Sequence, residues 1–237
     1  MPEPTVLLHG FTQTARSWDR VRRCLPMRAD VLAPDLRGHG AASAARPVGF
    51  AEVAEDIATQ APARFALCGY SMGGRLALQV ALAHPGRVTG LVLVSTTAGI
   101  EEAHERQARR AADERLAGQL ERQGLEAFAE RWAAQPLFAG LPADLAVEAR
   151  ADRLRNDAAG LAAALRGLGT GAMEPLWDRL PELTVPATVL AGERDAKFLA
   201  IARRLAATLA DATLTTVPGA GHALHLEAPE TIVSALG

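Results

Sequence analysis

The stretch Arg64–Ala83, RFALCGYSMGGRLALQVALA, decides the fold. Its opening, Arg64–Gly69, is a short apolar run of the kind that forms a buried strand, and Met72–Ala83 carries a helical pattern. Between them Gly69-Tyr70-Ser71-Met72-Gly73 reads G-x-S-x-G. A nucleophile on a strand-to-helix turn needs small neighbours, because the backbone there is strained and packs closely on the sheet. Such a turn also puts Ser71 at a helix N-terminus, where free N–H groups and the dipole favour negative charge. Five residues alone fit a plain glycine-rich turn equally well; the strand before and the helix after make the reading specific.

Outward from this turn the same rhythm repeats. Thr5–His9, Asp30–Pro34 and Val88–Ser95 read as strands, with helices near Ser17–Cys24 and Ala51–Gln60. Near-continuous apolar strands separated by helices imply a mostly parallel sheet covered on both faces, an α/β fold. From Ile100 to Leu180 the strand signal vanishes into Ala-, Arg-, Glu- and Leu-rich helical sequence. It returns at Pro186–Ala191 and Ala212–Val217, with a helix near Leu199–Leu209 between them and a short one closing the chain. A helical insertion in one domain is the expectation, with residues 1–98 and 181–237 forming a discontinuous core and 99–180 a cap.

Composition removes several alternatives. The chain has 237 residues with 49% hydrophobic and 22% charged, the profile of an ordinary globule with a full core. A net charge of −2 gives no electrostatic footprint for nucleic acid or an anionic membrane. Cys24 and Cys68 match no zinc spacing and read as inert thiols in a reducing compartment. No stretch reaches the roughly 18 consecutive apolar residues of a membrane span, and Met1–Pro4 shows no leader pattern, so a soluble cytoplasmic protein is expected. Usage is skewed: one tyrosine, Tyr70, and one lysine, Lys197, among 25 basic residues. Drift toward Ala and Arg explains the scarcity, and both singletons fall beside candidate catalytic residues.

Those candidates lie at strand ends. Gly192-Glu193-Arg194-Asp195 follows one strand and Gly219-Ala220-Gly221-His222 follows the last. The C-terminal ends of parallel strands share one edge, so Ser71, Asp195 and His222 can converge. Their chain order is the one α/β-hydrolases use. In such a triad the histidine takes the serine proton, and the aspartate fixes its tautomer and steadies its charged form. The His9-Gly10-Phe11 loop would add the Phe11 backbone N–H to that of Met72 as an oxyanion site, with His9 structural. Asp35, Arg37 and His39 read as loop braces. His222, His225 and Glu227 match no metal motif, and no metal or cofactor is expected.

Across nearly the whole chain these features resemble the α/β-hydrolase superfamily. Within it the chain is similar to the MenH family, the 2-succinyl-6-hydroxy-2,4-cyclohexadiene-1-carboxylate synthases of menaquinone (vitamin K2) biosynthesis. The similar stretches are Gly69–Arg75, Gly99-Ile100 with the charged run to Asp113, Trp132 with Pro136-Leu137-Phe138, Gly160–Gly171, Gly192–Phe198 and Gly219–Glu227. The serine turn and histidine loop are general to the superfamily, whereas the cap stretches and GERDAKF are much more specific. One departure is that the His-Gly loop arrives at residue 9, where family members carry one or two earlier strands; a trimmed sheet edge or a different start is expected.

The resemblance implies a lyase that removes a proton from its substrate and expels pyruvate, with Ser71 as the base. Its substrate carries several carboxylates, which the planar fork of arginine meets bidentately. Arg75, one helical turn past Ser71, can share its pocket-facing side. The resemblance adds Arg155 and one of Arg106, Arg109 or Arg110, with Lys197 and Tyr70 beside the substrate. Trp132 either walls the pocket or anchors the cap. Two other readings share the fold: a serine esterase, thioesterase or carbon–carbon hydrolase with a covalent intermediate, and a binding protein without catalysis, which has no need of Asp195 behind His222. A small-molecule polycarboxylate is the expected partner, met by a monomer or weak homo-oligomer.

Overall fold

The computed structural model describes residues 3–237. Six strands, β1 (Thr5–Leu8), β2 (Val31–Leu32), β3 (Phe65–Tyr70), β4 (Val88–Val94), β5 (Ala187–Gly192) and β6 (Ala212–Val217), form one sheet in the order β2-β1-β3-β4-β5-β6. Every neighbouring pair is parallel. The α/β expectation holds. All residues of β1 and β3 are buried, because side chains alternate between two covered faces. Val6, Leu8, Leu67, Leu91 and Leu93 face α2 (Phe50–Gln60), α3 (Met72–Ala83) and α7 (Ala196–Thr208). Leu7, Cys68, Val92 and Val94 face the other side, where α1 (Asp19–Cys24), α8 (Leu224–Glu227) and α9 (Pro229–Ala235) pack.

Strand order reverses between β1 and β3, which opens a crevice at the strands' C-terminal ends. The loop after β1 and the Ser71 turn after β3 therefore lie side by side. The expected strand Asp30–Pro34 shrinks to Val31–Leu32, since only these two residues register with β1 and no described strand lies beyond them.

No strand falls between residues 99 and 180. That segment holds α4 (Ala103–Ala133), broken at Gly124 with φ 80°, then α5 (Ala143–Arg153) and α6 (Ala158–Leu168). Ala117, Leu120 and Phe128 of α4 bury against Leu161, Ala162 and Leu165 of α6, a small core separate from the sheet. Met173, Leu176, Trp177 and Leu180 instead pack with the sheet side chains. The Leu176 N–H meets Ala98 O at 2.8 Å and Trp177 Nε1 meets Gly99 O at 3.0 Å, so the returning chain is stitched to the departing one. The last turn of α5 is fixed to the loop after β1. Asp152 accepts from the Thr14 N–H at 3.0 Å and from its hydroxyl, and Asn156 Nδ2 donates to Thr12 O at 2.8 Å.

Candidate active site

The geometry at Ser71 follows from its glycines. Ser71 has φ 51°, in the region L-residues avoid, which lifts its side chain off the turn. A Cβ on Gly69 would lie 2.2 Å from Gly73 O, and one on Gly73 2.0 Å from Leu8 O, so neither site admits a side chain. The Ser71 carbonyl accepts from Thr96 Oγ1 at 2.7 Å, and its N–H donates to Val94 O at 2.8 Å, tying the turn to β4.

The structure brings Ser71, Asp195 and His222 together. His222 Nδ1 lies 2.6 Å from Asp195 Oδ2 and His222 Nε2 lies 3.3 Å from Ser71 Oγ. An ionised carboxylate only accepts, so Nδ1 carries the proton and Nε2 is left as the acceptor facing the serine. Asp195 also caps α7, its Oδ1 taking the Phe198 N–H at 3.3 Å. The helix therefore starts at Ala196, three residues before the sequence expectation. The loops after β5 and β6 cross at Gly192, where a Cβ would meet Gly221 O at 2.1 Å; this close approach lets Asp195 reach His222. Glu227 holds the histidine loop, accepting from the Gly221 N–H at 2.9 Å and the Ala223 N–H at 3.2 Å, and is itself paired with Arg194 at 2.8 Å. Among the described residues, neither the Phe11 nor the Met72 N–H has a hydrogen-bond partner, as an oxyanion site requires.

Two cavities meet at the serine. The larger, about 460 Å³, is lined by Ser71, Arg75, Arg109 and Lys197 together with Thr96, Thr97 and Thr170. The smaller, about 100 Å³, holds Gln13, Tyr70, Arg153 and His222 among apolar side chains. Phe11, Trp132 and Leu137 wall both. Trp132 does two jobs: it stacks on Phe128 of the cap at 5.6 Å and meets Phe11 of the core loop edge-on at 5.1 Å. Tyr70 is buried against His222, 5.4 Å between ring centres, and Lys197 stands exposed at the larger cavity's rim.

Arg75 is 7% exposed and donates to Leu168 O at 2.7 Å; among the described residues it has no carboxylate partner. Burial and then the nearby Arg109 pull its pKa down to about 10, against an opposing pull from Asp113. Arg109 is oriented by Asp113, Nε to Oδ1 at 2.9 Å. Arg153, 5% exposed, reaches Thr12 Oγ1 at 3.3 Å and likewise has no carboxylate partner among the described residues; burial lowers its pKa.

The cap expectations need correction. Arg155 is exposed and lines neither cavity, because α5 ends at Arg153 and the following turn points residue 155 to solvent. Arg153 lines the smaller cavity instead. Arg106 closes the turn entering α4, donating to Ile100 O at 2.9 Å and Glu101 O at 3.0 Å. Arg110 is exposed on a groove beside Gln107 and Arg166, outside the serine cavities; of the three, Arg109 faces Ser71's cavity. The missed residues had a signal. Leu145, Ala149 and Asp152/Arg153 follow the i, i+4, i+7/i+8 seam of α5, and the stripe Leu120, Ala117, Asp113 of α4 runs back onto Arg109. Asp35, Arg37 and His39 sit as braces: Asp35 accepts from the Ala15 and Ala41 N–H groups, both at 2.7 Å, and Arg37 forks onto Asp56. Among the described residues no three His, Cys, Asp or Glu side chains are grouped to hold a metal, and no helix is long and apolar enough to cross a membrane.

Known proteins resemble this chain over nearly its whole length. A 2-succinyl-6-hydroxy-2,4-cyclohexadiene-1-carboxylate synthase of Salmonella agona (strain SL483) is 34% identical over 235 residues, 98% of this chain and 91% of the relative. A Bacillus subtilis (strain 168) protein that carries the same name provisionally is 39% identical over 240 residues, 96% of this chain and 86% of its own. Among solved structures, MenH from S. aureus superposes with a TM-score of 0.92 at 31% identity, covering 99% of this chain and 91% of that one. A thermophilic esterase from Thermogutta terrifontis superposes at 0.82 with 28% identity, covering 99% and 88%. Residues 5–235 match the alpha/beta hydrolase family, and with full-length relatives above 30% identity the chain belongs to that family.

Proposed function

We propose that this protein is a carbon–oxygen lyase that converts 2-succinyl-5-enolpyruvyl-6-hydroxy-3-cyclohexene-1-carboxylate to 2-succinyl-6-hydroxy-2,4-cyclohexadiene-1-carboxylate with release of pyruvate. The observation that carries the reading is the pair of buried, carboxylate-free guanidiniums, Arg75 and Arg153, each lining one of the two cavities that meet at Ser71, with Arg109 beside the first. A buried cation without a counter-charge is costly, and a substrate with several carboxylates is what offsets that cost on binding. An enzyme for apolar acyl groups has no such need. The synthase relatives at 34–39% identity point the same way.

The chemistry then assigns itself to the groups present. His222 accepts the Ser71 hydroxyl proton while Asp195 steadies the resulting imidazolium. Ser71 Oγ removes the ring proton beside the succinyl carbonyl, whose oxygen gains charge opposite the Phe11 and Met72 N–H groups. The electron pair returns through the ring, the carbon–oxygen bond to the enolpyruvyl group breaks, and the departing enolate becomes pyruvate on protonation. Arg75, Arg109, Lys197 and Arg153 hold the carboxylates, Tyr70 buttresses His222, and Trp132 walls the ring. In this reading the enzyme is cytoplasmic, a monomer or weak homo-oligomer, and uses no cofactor.

The test is a pyruvate-coupled assay on the enzymatically generated substrate. Stoichiometric pyruvate release, lost in Ser71→Ala, is the expected result. Burst hydrolysis of p-nitrophenyl esters with no pyruvate release would replace this reading with the covalent serine hydrolase.

A further inference from the structure

The mechanism above leaves a hydrogen-bonded pair unused: His225, fully buried, and the half-buried Gln13, which reaches from the loop after β1 toward it. We infer that His225 and Gln13 are positioning residues that aim the Phe11 N–H of the oxyanion site through the Gly10 peptide. This rests on the reading that Ser71 works opposite that N–H.

The chain of contacts is continuous. Gln13 Oε1 accepts the Gly10 N–H at 3.2 Å, which assigns the amide's orientation and leaves its NH₂ toward His225 Nε2 at 2.8 Å. An NH₂ can only donate, so Nε2 accepts and the ring proton sits on Nδ1. Burial lowers the His225 pKa to about 3, with His222 and His9 adding to the effect, so the ring stays a neutral acceptor at working pH. Among the described residues its Nδ1 has no partner, and the ring is held by packing instead: 4.1 Å from the Tyr70 ring centre and 5.7 Å from that of Trp18. The far end of the pair is therefore rigid, at the cost of an unpaired buried N–H.

At the near end the Gly10–Phe11 peptide plane is set. Gly10 O accepts from His9 Nδ1 at 2.9 Å and from the Gln13 N–H at 3.2 Å. A trans peptide is planar, so holding that oxygen on one side points the Phe11 N–H the opposite way. Gln13 thus fixes Gly10 twice, by its amide oxygen on the N–H and by its backbone on the C=O. Nothing larger than glycine fits here, since a Cβ on Gly10 would meet the Tyr70 ring at 2.6 Å. His225 thus packs against Tyr70 on one side and bonds Gln13 on the other.

The experiment compares Gln13→Met, His225→Phe and the double variant with wild type. Both substitutions keep bulk and remove the hydrogen bond between the side chains. A small displacement of an oxyanion donor is expected to lower the kcat for pyruvate release about 10- to 100-fold with KM within about two-fold. The double variant is expected to be no slower than the worse single one, because the two act as one device. His225→Gln, which restores an acceptor, is expected to recover part of the loss. In parallel, the rate at which a fluorophosphonate labels Ser71 is expected to fall similarly, since its phosphoryl oxygen takes the same N–H pair. Should His225→Phe fail to fold, Gln13→Met decides alone on both readouts. Unchanged kcat and labelling in folded variants, multiplicative losses in the double variant, or a raised KM at normal kcat would overturn the proposal. A wild type that labels but releases no pyruvate removes the lyase reading, and the labelling rates then still decide this one. A wild type that does neither overturns both.

Discussion

The core and the cap build the same site by different means. The core places its groups with backbone: Ser71, Asp195 and His222 stand on loops at strand ends, set by sheet register and by glycines at which an added Cβ would fall 2.0–2.2 Å from neighbouring backbone oxygens. The cap places its groups with helix faces: Arg109 and Arg153 reach the cavity only because α4 and α5 are rotated to the phase their small apolar seams impose. A strand end has one position, whereas an arginine on a helix has neighbours one and two residues away with quite different fates. Core groups should therefore tolerate almost no change, and cap groups should split sharply between adjacent arginines.

The sharpest break is Ser71→Ala. Its kcat for pyruvate release is expected to fall at least about 10³-fold with the fold intact, as removal of a triad member generally does. Normal turnover by that variant would end the core half of the contrast. Next comes acid. His9, His39 and His225 are all buried in the core, and burial is the main reason their pKa values drop to about 4, 3 and 3. The unfolded chain, titrating near 6.5, then binds more protons than the folded one below that pH. Their stabilisation is complete above pH 6.5 and drains toward pH 3–4, at up to about 1.4 kcal/mol per pH unit for each histidine. Urea unfolding at pH 7, 5.5 and 4.5 should show the steep loss; a flat profile would mean these rings are not held neutral.

The cap comparison is smaller in scale but more discriminating. Arg153→Ala and Arg109→Ala are expected to raise KM about 10- to 100-fold, the worth of a charge-assisted hydrogen bond of roughly 1.5–3 kcal/mol. Arg155→Ala and Arg110→Ala should stay within about two-fold. Equal effects at 153 and 155 would mean that α5 sits in another phase when substrate is bound. Between the two regions lies Asn156, whose Oδ1 takes the Gly40 N–H at 3.0 Å while its Nδ2 serves Thr12 O. Asn156→Ala strands those groups and is expected to cost about 1–3 kcal/mol of stability by chemical denaturation.

Legibility follows the same division. Met72–Ala83 and Ala212–Val217 are readable to the residue, because an apolar helix or a β-branched strand bounded by turn signals leaves little freedom. Strand Asp30–Pro34 reads too long because edge pairing depends on a neighbour that local sequence does not announce. Arg155, Arg106 and Arg110 mislead for a physical reason: on an Arg-rich helix, adjacent residues have nearly the same intrinsic preferences, and only packing selects the one that faces the serine's cavities. Gln13 escapes notice because its meaning lies in a partner 212 positions away.

By itself, then, the order of residues determined the α/β architecture, the serine turn and the identity of its two partners, since hydrophobic periodicity and glycine placement act locally and strand ends must share one edge. Tertiary structure alone decided which cap arginines line the cavities at Ser71, how the sheet's edge ends, and that a buried histidine reaches Gln13 behind the Gly10–Phe11 peptide. Those outcomes depend on helix rotation and long-range contact, which no local preference encodes.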